Sequence, residues 1–437
     1  MPGAFEIKDG VLRKYRGGEA HVSIPEGVTQ IGGSAFQFCH ALTSVSIPEG
    51  VTKIGERAFE CCSGLSSVDI PEGVTEIGRS AFWLCHALAS ASIPGSVTRI
   101  GIGAFADTHL VSVSIPEGVT RVETAAFGDC KALTSVDIPG SVTVIETAAF
   151  SGCESLASIS IPGSVMAIGY RAFKNCRALA SVGIPEGVEK IGDEAFEGCE
   201  RLASVSIPGG VTKIGDRAFK DCRALASVDI PGSVKQIGDR AFSGCEGLAS
   251  VAIPSGVARI GNGAFAGCTS LANASIPEGV TQIGDECFKN CRALGSASVP
   301  GSATKVGYRT FSGCTALAAV AIHEGVAEIG ESAFRDCEAL ASASTPEGMK
   351  TIGYQAFRDC KALASVDIPG SVTGIGRFAF SGCKSLASAS MTEGVAEIGA
   401  GAFYGCEGLT VTCPRDSYAW GYCEGQGIPV KPESAQP

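Results

Sequence analysis

The sequence predicts an α/β solenoid, a single elongated body of seventeen coils. Two observations predict it. A Phe recurs from Phe36 to Phe403 every 23 residues, except for one step of 22 between Phe105 and Phe127. Around each Phe the same apolar residues return at the same phase, as in Ile207–Asp229, IPGGVTKIGDRAFKDCRALASVD. A fixed period of this length marks units that bury their apolar faces only against their neighbours. The hydrophobic fraction of 45% is enough for a continuous core.

Residues 1–23 lie outside the repeat. Phe5–Ile7 and Val11–Tyr15 read as two strands around an Asp9-Gly10 turn. Such a hairpin covers the open end of the first coil, where bare core would invite aggregation.

Residues 24–409 hold the repeats. Ser204, Val205, Ser206 and Ile207 alternate polar and apolar, the signature of a strand with one buried face. Pro208 cannot donate to a ladder and ends the strand. Gly209-Gly210 turns the chain, and Val211 and Ile214 point inward. Asp216 then caps a short helical segment from Arg217 to about Cys222, with Ala218, Phe219, Cys222 and Leu225 on one face. The strands should stack into a parallel sheet on the concave side, rising ~4.8 Å per coil, with the helical turns on the convex side. A period of 20–29 residues with regularly placed Leu falls in the leucine-rich repeat class.

Residues 410–432 read as a C-terminal cap, with a helix from Ser417 to Cys423 and a strand at Ile428–Val430. Residues 433–437 should form a disordered tail.

Sixteen of the twenty cysteines sit three residues after a repeat Phe; in the Phe105 coil Thr108 takes that place. A residue at one phase of every coil forms a stacked column, where a thiol acts as a small buried hydrophobe. A structural ladder of reduced thiols is therefore expected, not disulfides. No CxxC pair has a matching second pair, so no metal site is expected. Cys61, Cys287, Cys413 and Cys423 are off-phase, and the last two leave one bridge open.

The net charge of −11 and the lack of any Lys/Arg run argue against nucleic acid. No apolar stretch approaches the length of a membrane span. Residues 1–24 are charged and lack the apolar segment of a signal peptide. Catalytic triads, HExxH and phosphate loops are not found, so the chain reads as non-enzymatic and without a cofactor.

The unit IPEGVTKIGERAFECCSGLSSV, Ile47–Val68, resembles the BspA-like, or Treponema-type, leucine-rich repeat. The IP-x-G-V turn, the IG-x-x-AF core and the following C-x-x-L carry the resemblance over residues 24–409, about 88% of the chain. Phe5–Tyr15 and Tyr418–Val430 are similar to the terminal segments of bacterial members. The resemblance implies surface proteins that adhere to host cells, matrix proteins or other microbes, and it implies no enzymatic activity. It points to a cell-surface or secreted location. The chain shows neither signal peptide nor anchor, which leaves a cytoplasmic location open.

Two faces can hold a ligand. On the concave face the exposed strand positions are Ser44, Ser46, Ser67 and their counterparts, with Asp69, Asp137, Asp229 and Asp367 at intervals of three, four and six coils. They are too far apart for one metal site. They suit weak multivalent contacts to basic proteins or glycans, or a plain solvated sheet. On the other side Phe38 and Leu84 share a phase that is elsewhere polar or Gly, and Trp83 precedes Leu84. His40, His86 and His109 share the phase after the Cys or its substitute. This cluster reads as a partner site, or as local packing against the hairpin. Tyr170, Tyr308 and Tyr354 share another phase and could dock a partner. The functional expectation is a protein-binding module that adheres to or recognises host or microbial surface proteins. The alternatives are an intracellular scaffold or translocated effector, and a glycan-binding array.

Overall fold

The computed structural model describes residues 3–433. Of the expected tail, all but Glu433 lies outside the described residues. The chain is a parallel-sheet solenoid of the leucine-rich repeat class. It divides into two compact units, Met1–Val211 and Thr212–Pro437.

The first unit opens on an antiparallel hairpin, β1 (Phe5–Lys8) and β2 (Val11–Tyr15). β2 then pairs in parallel with Gln30–Ile31, so the hairpin hands its edge directly to the first coil. Tyr15 also extends the aromatic column. Its ring lies 5.2 Å from Phe5 and 5.0 Å from Phe36. Burial and a hydrogen bond to Glu19 push its phenol up to about 12.

Each coil contributes one two-residue strand, such as Lys53–Ile54, and most add a longer strand that usually begins at a Ser, such as Ser67–Asp69; at Ser158 only a single bridge forms. Both kinds pair with the next coil in register, Ile54 with Ile77 and Val68 with Ala91. The Ser-bearing ladder starts earlier than the repeat boundary, because His21–Ser23 already pairs with Ser44–Ser46. The two-residue ladder breaks between Arg99–Ile100 and Arg121–Val122, across the one 22-residue step. In the second unit the parallel ladders continue to Glu397–Ile398 and Thr410–Cys413. There α1 (Tyr418–Gln426), N-capped by Ser417 and closed by left-handed Gly427, leads to a last strand, Val430–Pro432. Both elements run two or more residues beyond the expected ends.

The expected inward set is the core. In the Phe242 coil Val234, Ile237, Ala241, Phe242, Cys245 and Leu248 are fully buried. The repeat Phe rings stack face to face within each unit, with centroids 4.9 to 5.7 Å apart. Such pairs add roughly 0.5–1.5 kcal/mol to what burial alone contributes.

The thiol column is hydrogen-bonded. Cys62 Sγ donates to the carbonyl of Phe36 at 3.1 Å, and Cys245 Sγ to that of Phe219 at 3.2 Å. The same carbonyls also accept the N–H of their own coil's Cys, as Phe36 does from Cys39 and Phe219 from Cys222. Both lone pairs are thereby used in a buried site. Thr108 departs from the pattern: its hydroxyl donates to the Phe105 carbonyl of its own coil, which also accepts from Cys130 Sγ. All twenty cysteines are thiols, and Cys413 and Cys423 are both buried without a bridge between them. Burial pushes Cys199 and Cys268 up to about 12, so these sulfurs stay protonated and inert.

The outer turns differ from expectation. Among the described residues the only α-helix is α1; the stretch around each Phe is a run of turns. The residue two before each Phe has φ of 51° to 68°, and the residue two after has 55° to 78°. These left-handed positions swing every second N–H toward the next coil. In the Phe242 coil Arg240, Phe242 and Gly244 donate to Asn262, Ala264 and Ala266 at 2.7 to 2.8 Å. The intervening Ala241, Ser243 and Cys245 donate three residues back, at 3.1 to 3.3 Å. A helix would spend all six on its own turn. The inter-coil ladder wins because it leaves no orphan donors along the stack.

The expected cap is likewise a bridge. Asp216 accepts the N–H of Asp239, Asp239 that of Asn262, Asn262 that of Asp285, and Asp285 that of Tyr308, each at 2.9 Å. These side chains tie neighbouring coils together.

Candidate functional site

Phe38, Cys61 and Leu84 occupy the left-handed position of coils 1, 2 and 3, with φ of 64°, 60° and 61°. The inter-coil ladder sets them side by side: Phe38 N–H bonds Glu60, Cys61 N–H bonds Trp83, and Leu84 N–H bonds Ala106, at 2.8 to 3.1 Å. Phe38 is 58% exposed, whereas Cys61 and Leu84 are half-buried. Trp83 is half-buried too, and its indole N–H reaches Asp107 at 3.4 Å, joining coil 3 to coil 4. His40, His86 and His109 are exposed at the next phase. The His40 ring sits 6.2 Å from that of Phe38 and meets Ser63 at 3.2 Å. The sequence-derived cluster is thus one strip across four coils. Cys61 completes it, a residue noticed in the sequence only as an off-phase cysteine. Its thiol is held above the ordinary range by burial and by the Glu60 carboxylate.

The Ser face is more dispersed. Ser46, Ser67, Asp69, Asp137, Asp229 and Asp367 are exposed and Ser44 is half-buried. Asp137 accepts from Ser114 at 3.2 Å and Asp367 from Ser390 at 2.6 Å, so these two carboxylates are held by the adjoining coil. Asp69 lies in an open groove of about 570 Å³ with Ser44, Ser46, Glu49 and Glu72.

The tyrosine phase is locally engaged. Arg171 stacks on Tyr170 at 4.5 Å and Arg309 on Tyr308 at 4.8 Å. Beside Tyr170, buried Glu194 accepts from Arg171 and Lys174 at 2.7 Å each. Burial alone would raise this carboxyl, but the two cations hold it well below the usual carboxylate range. The cluster is an inter-coil clamp.

No group of three or more metal-ligating side chains occurs among the described residues. Nor is any described helix long and apolar enough to cross a membrane.

A family model for the BspA type leucine rich repeat region in six copies matches residues 18–134, 122–249, 189–318, 236–363 and 311–422. The chain belongs to the BspA-type leucine-rich repeat family. Among solved structures, a leucine-rich repeat protein from Bacteroides ovatus is 29% identical, covers 98% of this chain and 97% of its own, and superposes with a TM-score of 0.54. A leucine rich cell surface protein from Faecalibacterium prausnitzii is 33% identical over 74% of this chain and 94% of its own, with a TM-score of 0.50. No curated protein matches. The BspA-type fold is that of a protein-interaction module, and such solenoids are typically non-enzymatic.

Proposed function

We propose that this BspA-type protein recognises a surface protein of a host cell or of another microbe, through the outer turns of coils 1–4. The observation that carries the reading is the left-handed position two residues past each Phe. From Asp107 in coil 4 to Gly405 in coil 17 it is Gly, Asn or Asp without exception. These residues tolerate that backbone. In coils 1–3 it is Phe38, Cys61 and Leu84. A bulky side chain there costs about 1–2 kcal/mol. Phe38 is too exposed to recover that by packing. Strain retained without structural return clusters at binding sites, and Trp83 beside it is the kind of side chain that anchors interfaces. The Faecalibacterium protein, described as a cell surface protein, supports a surface role.

Binding to a panel of purified matrix and cell-surface proteins tests the reading. Phe38→Asn and Trp83→Ala are run beside the parent. Asn already stands at this position in coils 7 and 12, as Asn175 and Asn290. Phe38→Asn should therefore keep or raise the melting temperature. Affinity for the bound panel member should fall by about 2 kcal/mol, roughly thirtyfold, in either variant. A panel without a ligand, or one that both variants bind as tightly as the parent does, contradicts the proposal.

A further inference from the structure

The aliphatic row of the two-residue ladder runs on through the hairpin to the surface. Ile100, Ile77, Ile54, Ile31, Leu12 and Ile7 are partners in register, each with the next. The first five are at most 1% exposed, whereas Ile7, the last, is 41% exposed. Ile7 lies in β1, the edge strand of its sheet. The Arg16 N–H bonds the Ala4 carbonyl at 2.7 Å. Residues 4, 6 and 8 therefore turn their backbone groups toward β2, and Phe5 and Ile7 turn theirs away from it. The one bulge of this pair leaves the alternation intact, because the extra residue, Arg13, lies in β2. Glu6 and Lys8 flank Ile7 on the opposite face of the strand, and both are exposed.

We propose that this edge pairs antiparallel with the same edge of a second copy of the chain, about a two-fold axis at Ile7. The two Ile7 residues exchange both backbone hydrogen bonds, and their side chains close the aliphatic row. Glu6 of each copy then stands opposite Lys8 of the other. Charges on an edge strand ordinarily discourage pairing. Here they form two opposite-charge pairs, at positions where side chains across a ladder are closest. Centring the pair on Glu6 or on Lys8 would instead set like charges face to face, so the sequence selects the Ile7 register. Two four-residue strands make a small interface, so the dimer is weak and forms as protein concentration rises. It brings two coil 1–4 strips into one assembly, but does not rest on their role.

Sedimentation velocity of the full chain over a concentration series reads the association. The expected result is a reversible monomer–dimer equilibrium. Glu6→Lys and Lys8→Glu alone should each weaken it at least about tenfold, because each sets two like-charge pairs across the axis. Glu6 also holds Arg16 at 2.9 Å, so Lys8→Glu is the cleaner of the two. Mixing the two variants should restore association as a heterodimer, since one then carries two cations where the other carries two carboxylates. Both positions are exposed, so melting temperatures should not move. A monomer at every concentration, a dimer indifferent to the single swaps, or a mixture as weak as its components overturns the proposal. Slow amide exchange at Ile7 in the dilute monomer also overturns it, because another segment then covers the edge.

Discussion

Replacing Phe242 by Ala should destabilise its coil by about 4 kcal/mol, the range for emptying a fully buried Phe site. The ring is completely buried between Phe219 and Phe265, at 5.3 and 5.4 Å. Its loss leaves two stacked faces without a partner, and the coil cannot collapse because its backbone is bonded to both neighbours. The effect should be local, since a solenoid is held by nearest-neighbour terms. Hydrogen exchange should show lost protection in the Phe219, Phe242 and Phe265 coils, with that around Phe357 retained. Phe242→Leu should cost about 1–2 kcal/mol, because most of the volume stays. A change below about 1 kcal/mol for the Ala variant would remove the stack as the main stabiliser.

Gly261→Ala should cost about 2–3 kcal/mol by overpacking. A Cβ there would lie 2.5 Å from the Asp239 nitrogen, the Asp239 Oδ1 and the Gly238 carbonyl carbon of the neighbouring coil. The φ of this glycine is ordinary, so close approach alone sets the requirement. Coils 5 and 6 carry Glu123 and Glu146 at this phase. Their Phe rings stand 5.7 and 5.6 Å from the preceding ring, the widest steps within the two units. Gly261→Ala asks a tighter step for the same widening. Gly232→Ala is the control: nothing lies within 4 Å of its Cβ, and stability should move by less than about 0.5 kcal/mol. Equal denaturation midpoints for the two variants would contradict the close-approach account.

Much of this was readable from the sequence. The period and the phase of Val, Ile, Ala, Phe, Cys and Leu reported the core, because a residue that returns at one phase must stack on itself. The thiol column followed from the same logic. The outer turns were not readable as such. Ala218, Phe219, Cys222 and Leu225 have a spacing that suits one face of a helix and a run of three-residue turns equally well. Only the recurrence of Gly, Asn and Asp two residues past the Phe distinguishes them. The role of Asp216 was ambiguous for a similar reason, since its carboxylate can accept from its own turn or from the next coil. Phe38 and Leu84 stood out as exceptions to the repeat, yet Cys61 joins them only once the backbone conformation is known.

The most direct test of the proposed recognition surface uses Cys61 as a built-in probe. It lies between Phe38 and Leu84, and with Cys39 and Cys406 it is one of three half-buried thiols. Maleimide labelling of the native protein, read residue by residue, is compared with and without a saturating panel ligand. At ligand concentrations far above Kd, Cys61 labelling should slow by roughly tenfold or more while Cys406 labelling is unchanged. Unchanged labelling of Cys61 in the saturated complex would place the ligand elsewhere and contradict the account.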